Sequence, residues 1–271
     1  MSTDPTVYPP LDERPLDGTI CLFDVDNTLS LPRKPATPEM LSLLSRLRQK
    51  CAIAYVSGSD LPKQQEQLST PSTPVASLFD FCFAENGLVA YRLGHPLPSP
   101  SFPEYTGQPA YNALVAWLTY YVDNLHLPFA RSPFLESAEF RHGMINAPFI
   151  RRGASYEERD SFEAYDKLHG VRRRMVKDAK VALGGLDVTY LIGGQISVDV
   201  FPRGWDKTYC LGHVEAERGR SGVVYDAIHF FGDMTRPGGN DYEIFVDERT
   251  IGHTVEGPGD CMGIVKELFG L

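Results

Sequence analysis

Residues 19–30 read Thr-Ile-Cys-Leu-Phe-Asp-Val-Asp-Asn-Thr-Leu-Ser. An apolar run that breaks off at two carboxylates, Asp24 and Asp26, has the pattern of a strand buried on both faces in the middle of a parallel sheet. With a two-residue period both carboxylates point the same way, into the crevice at the C-terminal edge of the sheet, where open α/β sheets bind ligands. Side by side they repel and shift each other's pKa unless a cation lies between them. A Mg²⁺ held by one carboxylate, a carbonyl and a more distant acid resolves that conflict. One Asp can then attack a phosphoryl group, and the other can give and take the proton of a hydroxyl. Taken alone, an Asp-x-Asp is as readily a strand end capped by solvated aspartates, so the reading depends on its surroundings.

Working outward, Thr37-Pro38-Glu39 precedes MLSLLSRLRQK, with Thr37 suited to an N-cap, Pro38 to the first helical position and leucines at helical spacing. CAIAYVSGSD (51–60) is a second apolar strand, a polar helical segment follows, and FDFCFAENG (79–87) is a third strand. Strand, helix, strand, helix, strand is the signature of an α/β sheet. The style changes at HPLPSPSFPEYTGQP (95–109), with five prolines in fifteen residues. Beyond it, 111–127 is an amphipathic helix candidate, 137–152 looks like strand and turn, and Ser155 to Glu158 has capping-box spacing. That box opens a charged helical stretch to about Leu183, and 187–202 reads as two strands about a Gly-Gly turn. The α/β style returns with GWDKTYCLGHV (204–214), AIHFFGD (227–233) and NDYEIFVD (240–247). We expect a loose arm over 1–17, a core of 18–97 with 204–271, and an inserted α+β domain over 98–203.

At 271 residues the chain has room for two domains, and 42% hydrophobic with 23% charged residues is ordinary for a folded protein. The net charge of −9 disfavours non-specific nucleic-acid binding, so any anion must be met by local arginines or lysines. Five cysteines, an odd number with no CxxC, read as buried reduced thiols. The polar, Pro-rich start lacks the apolar core of a secretory signal, and the longest apolar stretch, near 113–122, is too short to span a bilayer. A cytoplasmic protein without membrane contact is expected.

Three further elements add to the first. VSGSD (56–60) offers Ser57, Gly58 and Ser59 to a phosphate, Lys207 follows Gly-Trp-Asp, and FFGDMTRPGGNDYEIF (230–245) ends a strand in Asp233 before a Gly-rich loop and Asp241. Each is weak alone; in this order, each at a strand end, they are specific. No GxxxxGK[ST] loop is present, which argues against a nucleotide-driven kinase. Arg131, Arg141, Arg151, Arg152 and Arg159 cluster within the inserted block, and guanidinium meets phosphate through paired hydrogen bonds. Ser197 and Asp199 sit two residues apart on an alternating strand, so both can face one substrate.

These four elements resemble the motifs of the haloacid dehalogenase superfamily. From about residue 18 onward, LFDVDNTLSLPR, ENGLVAY, EFRHGMIN, GGQISVDVFPRGWDK and FFGDMTRPGGNDYEIF together resemble the eukaryotic phosphomannomutases. The resemblance implies a dehalogenase-like Rossmannoid core with a mobile cap, and interconversion of mannose 6-phosphate and mannose 1-phosphate for GDP-mannose synthesis. It implies Asp24 as nucleophile and Asp26 as general acid/base, with Lys207 beside them. Mg²⁺ would lie on Asp24, Asp26 (through its carbonyl) and Asp233, and a further cation on Phe245 (carbonyl), Asp247 and Thr250. The sugar phosphate would meet Arg33 and Ser59 from the core and Arg141, Arg152, Arg159, Ser197 and Asp199 from the cap. A hexose 1,6-bisphosphate activator and a homodimer formed through the cap are implied as well. Where that family has Gly, this chain has Asn27, which tolerates unusual backbone angles. The alternatives are a sugar-phosphate phosphatase of the same superfamily and a catalytically silent paralogue.

Overall fold

A computed structural model of the chain describes residues 8–70, 73–192 and 194–271. It divides into two compact units, Met1–Ser99 with Gly204–Leu271, and Pro100–Arg203. The described strands, in chain order, are β1 (Thr19–Phe23), β2 (Ala52–Val56), β3 (Phe81–Ala84), β4 (Val89–Arg92), β5 (His95–Leu97), β6 (Glu139–Phe140), β7 (Ile145–Pro148), β8 (Val188–Leu191), β9 (Ser197–Pro202), β10 (Ala227–Gly232) and β11 (Thr250–Thr254).

The first unit is built on a seven-stranded sheet in the order β11-β10-β1-β2-β3-β4-β5. The five strands from β11 to β3 are parallel, and β4 and β5 close one edge as antiparallel strands. The central strands are apolar without alternation because both faces are covered. Along β1, Cys21 and Phe23 join one cluster with Met40, Leu43, Leu44, Leu47 and Val265, while Ile20 and Leu22 join the other with Phe81, Phe83, Leu211 and Val214. Burying each such side chain contributes about 1.5–3 kcal/mol. The helix Pro38–Arg48 begins where the sequence sets it: Thr37 Oγ1 accepts the Met40 N–H at 3.2 Å and Pro38 opens the first turn. Its apolar stripe then lies on the sheet.

The expected loose arm is corrected for its described part. Leu11 is buried, and Arg14, 4% exposed, donates to both carboxylate oxygens of Asp80 at 2.6 and 2.8 Å. Arg48 donates to the same carboxylate at 2.9 Å, and the Arg48 guanidinium stacks on the Tyr8 ring. A buried aspartate needs such partners, and the arm supplies one of them. Residues 1–7 of that arm lie outside the described residues.

The second unit carries an antiparallel sheet, β6-β7-β9-β8. Ser155 forms the capping box with Glu158 and starts the helix Tyr156–His169. The single helical stretch expected to Leu183 is two helices, because Gly170 turns left-handed (φ 61°) before Val171–Ala182 begins. Asp166 and Arg172 pair across that break, both buried. The Gly-Gly turn before β9 includes Gly193, which lies outside the described residues. All five cysteines are free and buried. Among the described residues no helix is long and apolar enough to cross a membrane.

Candidate active site

In the first unit, β1 and β10 are neighbours in parallel register, Phe23 opposite Phe231, and Asp24 N–H continues the ladder to the Phe231 carbonyl at 2.8 Å. That register brings the residue after β1, Asp24, and the residue after β10, Asp233, to one end of the sheet. Asp241 joins them from the loop that follows. Carboxylate oxygens of Asp24, Asp233 and Asp241 all lie within 4.8 Å of one another. Gly232 makes the approach of Asp241 feasible, since a Cβ there would stand 2.7 Å from the Asp241 carboxylate. Asp241 is fixed further by the Met234 N–H at 3.0 Å.

Lys207 is buried, not a solvated lysine. Its Nζ donates to Asp24 and, at 2.6 Å, to Asp241. Burial alone would lower the Lys207 pKa, but the charges of Asp24 and Asp241 outweigh it and hold the ammonium above its usual value. Burial pushes the Asp24 carboxyl up to about 7, against the pull of Lys207 and with the repulsion of Asp241. Three acids against one lysine leave uncompensated negative charge. A set of hard oxygen donors with that excess suits Mg²⁺. The residues therefore fit the ion, through Asp24, Asp233 and Asp241.

Asp26 is turned to a different environment. Lys63 Nζ donates to one of its carboxylate oxygens at 2.8 Å and Gln67 Nε2 to the other at 2.8 Å. Burial pushes its pKa up, but Lys63, Gln67 and a backbone hydrogen bond from Arg33 prevail, and the group lies below its ordinary value. Lys63 Nζ also reaches Ser59 Oγ at 3.0 Å, so Ser59 and Asp26 share a partner. Ser57 is buried and accepts from Gln64 at 2.9 Å. Arg33 is exposed, with a left-handed φ of 59°. The loop of Phe245, Asp247 and Thr250 is closed by its own contacts. Asp247 accepts from Arg249 through both carboxylate oxygens, at 2.8 and 2.7 Å, and Thr250 donates to the carbonyls of Ile244 and Asp247. Its carboxylate is thus paired with Arg249 within the loop.

In the second unit, β7 and β9 pair so that Asn146 lies opposite Asp199. Asn146 Nδ2 donates to Ser197 Oγ at 2.9 Å and to Asp199 Oδ1 at 2.5 Å, and its carbonyl accepts from Arg152 at 2.6 Å. Glu139 on β6 takes Arg141 at 2.6 Å and also pairs with Arg152. Arg159 is drawn in through the Arg152 carbonyl at 2.5 Å. Burial raises the Asp199 pKa, opposed by Asn146 and Arg141. Burial also lowers that of Arg152, with Arg141 and Arg159 adding repulsion. Of the five arginines singled out in this block, Arg131 binds the carbonyls of Leu125 and Val122, and Arg151 pairs with Glu158; both serve local structure.

The residues singled out from the sequence thus form groups in both units: Asp24, Asp233 and Lys207 meet in the first, where Asp26 and Ser59 share Lys63, and Arg141, Arg152, Arg159, Ser197 and Asp199 are linked in the second, while the loop of Phe245, Asp247 and Thr250 keeps contacts of its own. Lys63, Gln67, Asn146 and Glu139 belong to them and were missed. Lys63 had a signal: four residues after Ser59 on a helix capped by Asp60. Asn146 had one too, inside the quoted EFRHGMIN stretch.

The eukaryotic phosphomannomutase family model matches residues 40–271. The phosphomannomutase of Schizosaccharomyces pombe is 49% identical over 262 residues, spanning 97% of this chain and 98% of that protein. That of Saccharomyces cerevisiae is 51% identical over 253 residues, spanning 93% and 95%. Among solved structures, a haloacid dehalogenase-like hydrolase from Bacteroides thetaiotaomicron superposes with a TM-score of 0.55 at 14% identity, over 93% of this chain and 99% of that one. At that identity the likeness speaks for the fold, a mixed α/β architecture with a parallel sheet of the dehalogenase type. The sequence matches lead to one assignment: the chain belongs to the eukaryotic phosphomannomutase family.

Proposed function

We propose that this chain interconverts mannose 6-phosphate and mannose 1-phosphate, feeding GDP-mannose synthesis, with Asp24 as the phosphoryl carrier. The observation that carries the reading is the burial of Asp24 at the end of β1, between Lys207 and the acids Asp233 and Asp241. In the first half-reaction an Asp24 oxygen attacks one phosphorus of a hexose 1,6-bisphosphate. The bond from that phosphorus to the sugar oxygen breaks, and the sugar oxygen takes back the proton that Asp26 gains from the hydroxyl in the other half-reaction. In the second, the hydroxyl of a hexose monophosphate gives its proton to Asp26 and attacks the phosphorus of the aspartyl-phosphate, which regenerates Asp24. Lys207 supplies fixed positive charge next to the reacting carboxylate. Mg²⁺, when held by Asp24, Asp233 and Asp241, supplies further positive charge for the phosphoryl oxygens.

A mutase must also grip the phosphate that is not reacting. Arg141, Arg152 and Arg159 are the guanidiniums suited to it, with Ser197 and Asp199 for sugar hydroxyls. Glu139 keeps Arg141 and Arg152 aligned, and a doubly charged phosphate competes with its single charge. The test is to mix the protein with hexose 1,6-bisphosphate labelled with ³²P in both phosphates, quench in acid and count label on the protein. Hydroxylamine-labile label that is lost in Asp24→Asn supports the reading; equal labelling of Asp24→Asn removes Asp24 as the carrier.

A further inference from the structure

Asn27 stands three residues after Asp24, and its backbone is left-handed, with φ at 60°. From there its side chain crosses to the loop after β10, and Nδ2 donates to Asp233 Oδ2 at 3.2 Å. The three acids of the cluster are held unequally. Asp24 and Asp241 are both gripped by the Lys207 ammonium, and Asp241 also by a backbone N–H. For Asp233 the side chain that reaches it is Asn27. Half-buried beside two other carboxylates, Asp233 is pushed outward by their charge unless something restrains it.

From this geometry we infer that Asn27 is a positioning residue for the metal site: its amide clasps one oxygen of Asp233 and so fixes the carboxylate that would hold the cation. The choice of residue follows from two constraints. A left-handed φ is comfortable for Gly, Asn and Asp. Gly has no side chain to reach Asp233, and Asp would add a fourth negative charge with no donor. Asn satisfies the backbone and supplies a neutral donor, which orients the carboxylate without competing with the metal as a second lysine would. Hydrogen bonds to metal-ligating carboxylates tune affinity in this manner.

The inference rests on the reading of Asp24, Asp233 and Asp241 as the Mg²⁺ site, and its test separates the two. Mg²⁺ binding is measured by calorimetry on the free protein, without substrate, for the natural chain, Asn27→Gly, Asp233→Asn and the double variant. Gly accepts the left-handed backbone, so Asn27→Gly removes the amide and keeps the turn. We expect its Kd for Mg²⁺ to rise about tenfold, while in the Asp233→Asn background the same change moves Kd by less than about twofold. An unchanged Kd in Asn27→Gly overturns the clasp. So does an equal loss in both backgrounds, since that marks a loosened loop. If the natural chain takes up no Mg²⁺, the metal reading itself falls.

Discussion

Lys207 is the single cation between two buried carboxylates, and its removal should be felt by the fold before it is felt by catalysis. Lys207→Met leaves Asp24 and Asp241 buried without their charge partner, a loss of about 3–5 kcal/mol for a broken buried pair. Urea unfolding of the metal-free protein should show it, and added Mg²⁺ should recover part; a midpoint within error of the natural chain would contradict the ion-pair account. Arg152 is different in kind, half-buried and held by Glu139, Asn146 and the Ser137 carbonyl. Arg152→Ala should weaken hexose-phosphate binding by roughly 10–100-fold, the value of a charge-assisted contact, with a far smaller change in stability. Unaltered affinity would take Arg152 out of the phosphate clamp. At this scale the sequence was informative where a residue ends a buried strand. Asp24 and Asp233 stand out because an apolar run stops at each. Gln67 and Asn146 stand out less, since their contacts to Asp26 and Asp199 join segments distant in the chain, as in the pairing of β7 with β9.

The elements show the same divide. β1, β2 and β3 were legible because burial on both faces writes an unbroken apolar string. The edge strands β4 and β5 were not, being short, partly exposed and interrupted by Pro96. Gly170 splits the long charged helix by adopting a left-handed cap, which a Gly inside a periodic pattern signals only weakly. The N-terminal segment read as loose from its prolines, yet Arg14 is needed by the buried Asp80. Asp80→Ala should therefore destabilise by about 3–5 kcal/mol, leaving Arg14 and Arg48 buried and unpaired, as read by urea unfolding; a loss under about 1 kcal/mol would mean that the network is incidental. On β10 and β11 the rings of His229 and His253 meet at 2.9 Å between nitrogens, and burial lowers both below the ordinary 6.5. The unfolded chain then binds protons that the folded one refuses. Stability from this pair is full above about 6.5 and is lost as pH falls below it. Asp24, raised by burial, runs the other way, so the pair is isolated by difference. Between pH 7 and 5 the urea midpoint of the natural chain should fall further than that of His253→Gln, and parallel curves would refute it.

At the scale of the molecule, the proposed function assigns one half of a mutase's work to each unit. The unit with the parallel sheet holds the acids and the lysine that we propose for phosphoryl transfer, and the unit with the antiparallel sheet holds the arginines that we propose for the phosphate clamp. A phosphatase built on the same core has no use for the second group, and a silent paralogue has no need of the first. The most direct measurement is product analysis of the purified protein with mannose 1-phosphate, Mg²⁺ and a catalytic amount of hexose 1,6-bisphosphate. The account predicts mannose 6-phosphate, formed only when the bisphosphate is present; release of free phosphate and mannose, or no product at all, would contradict it.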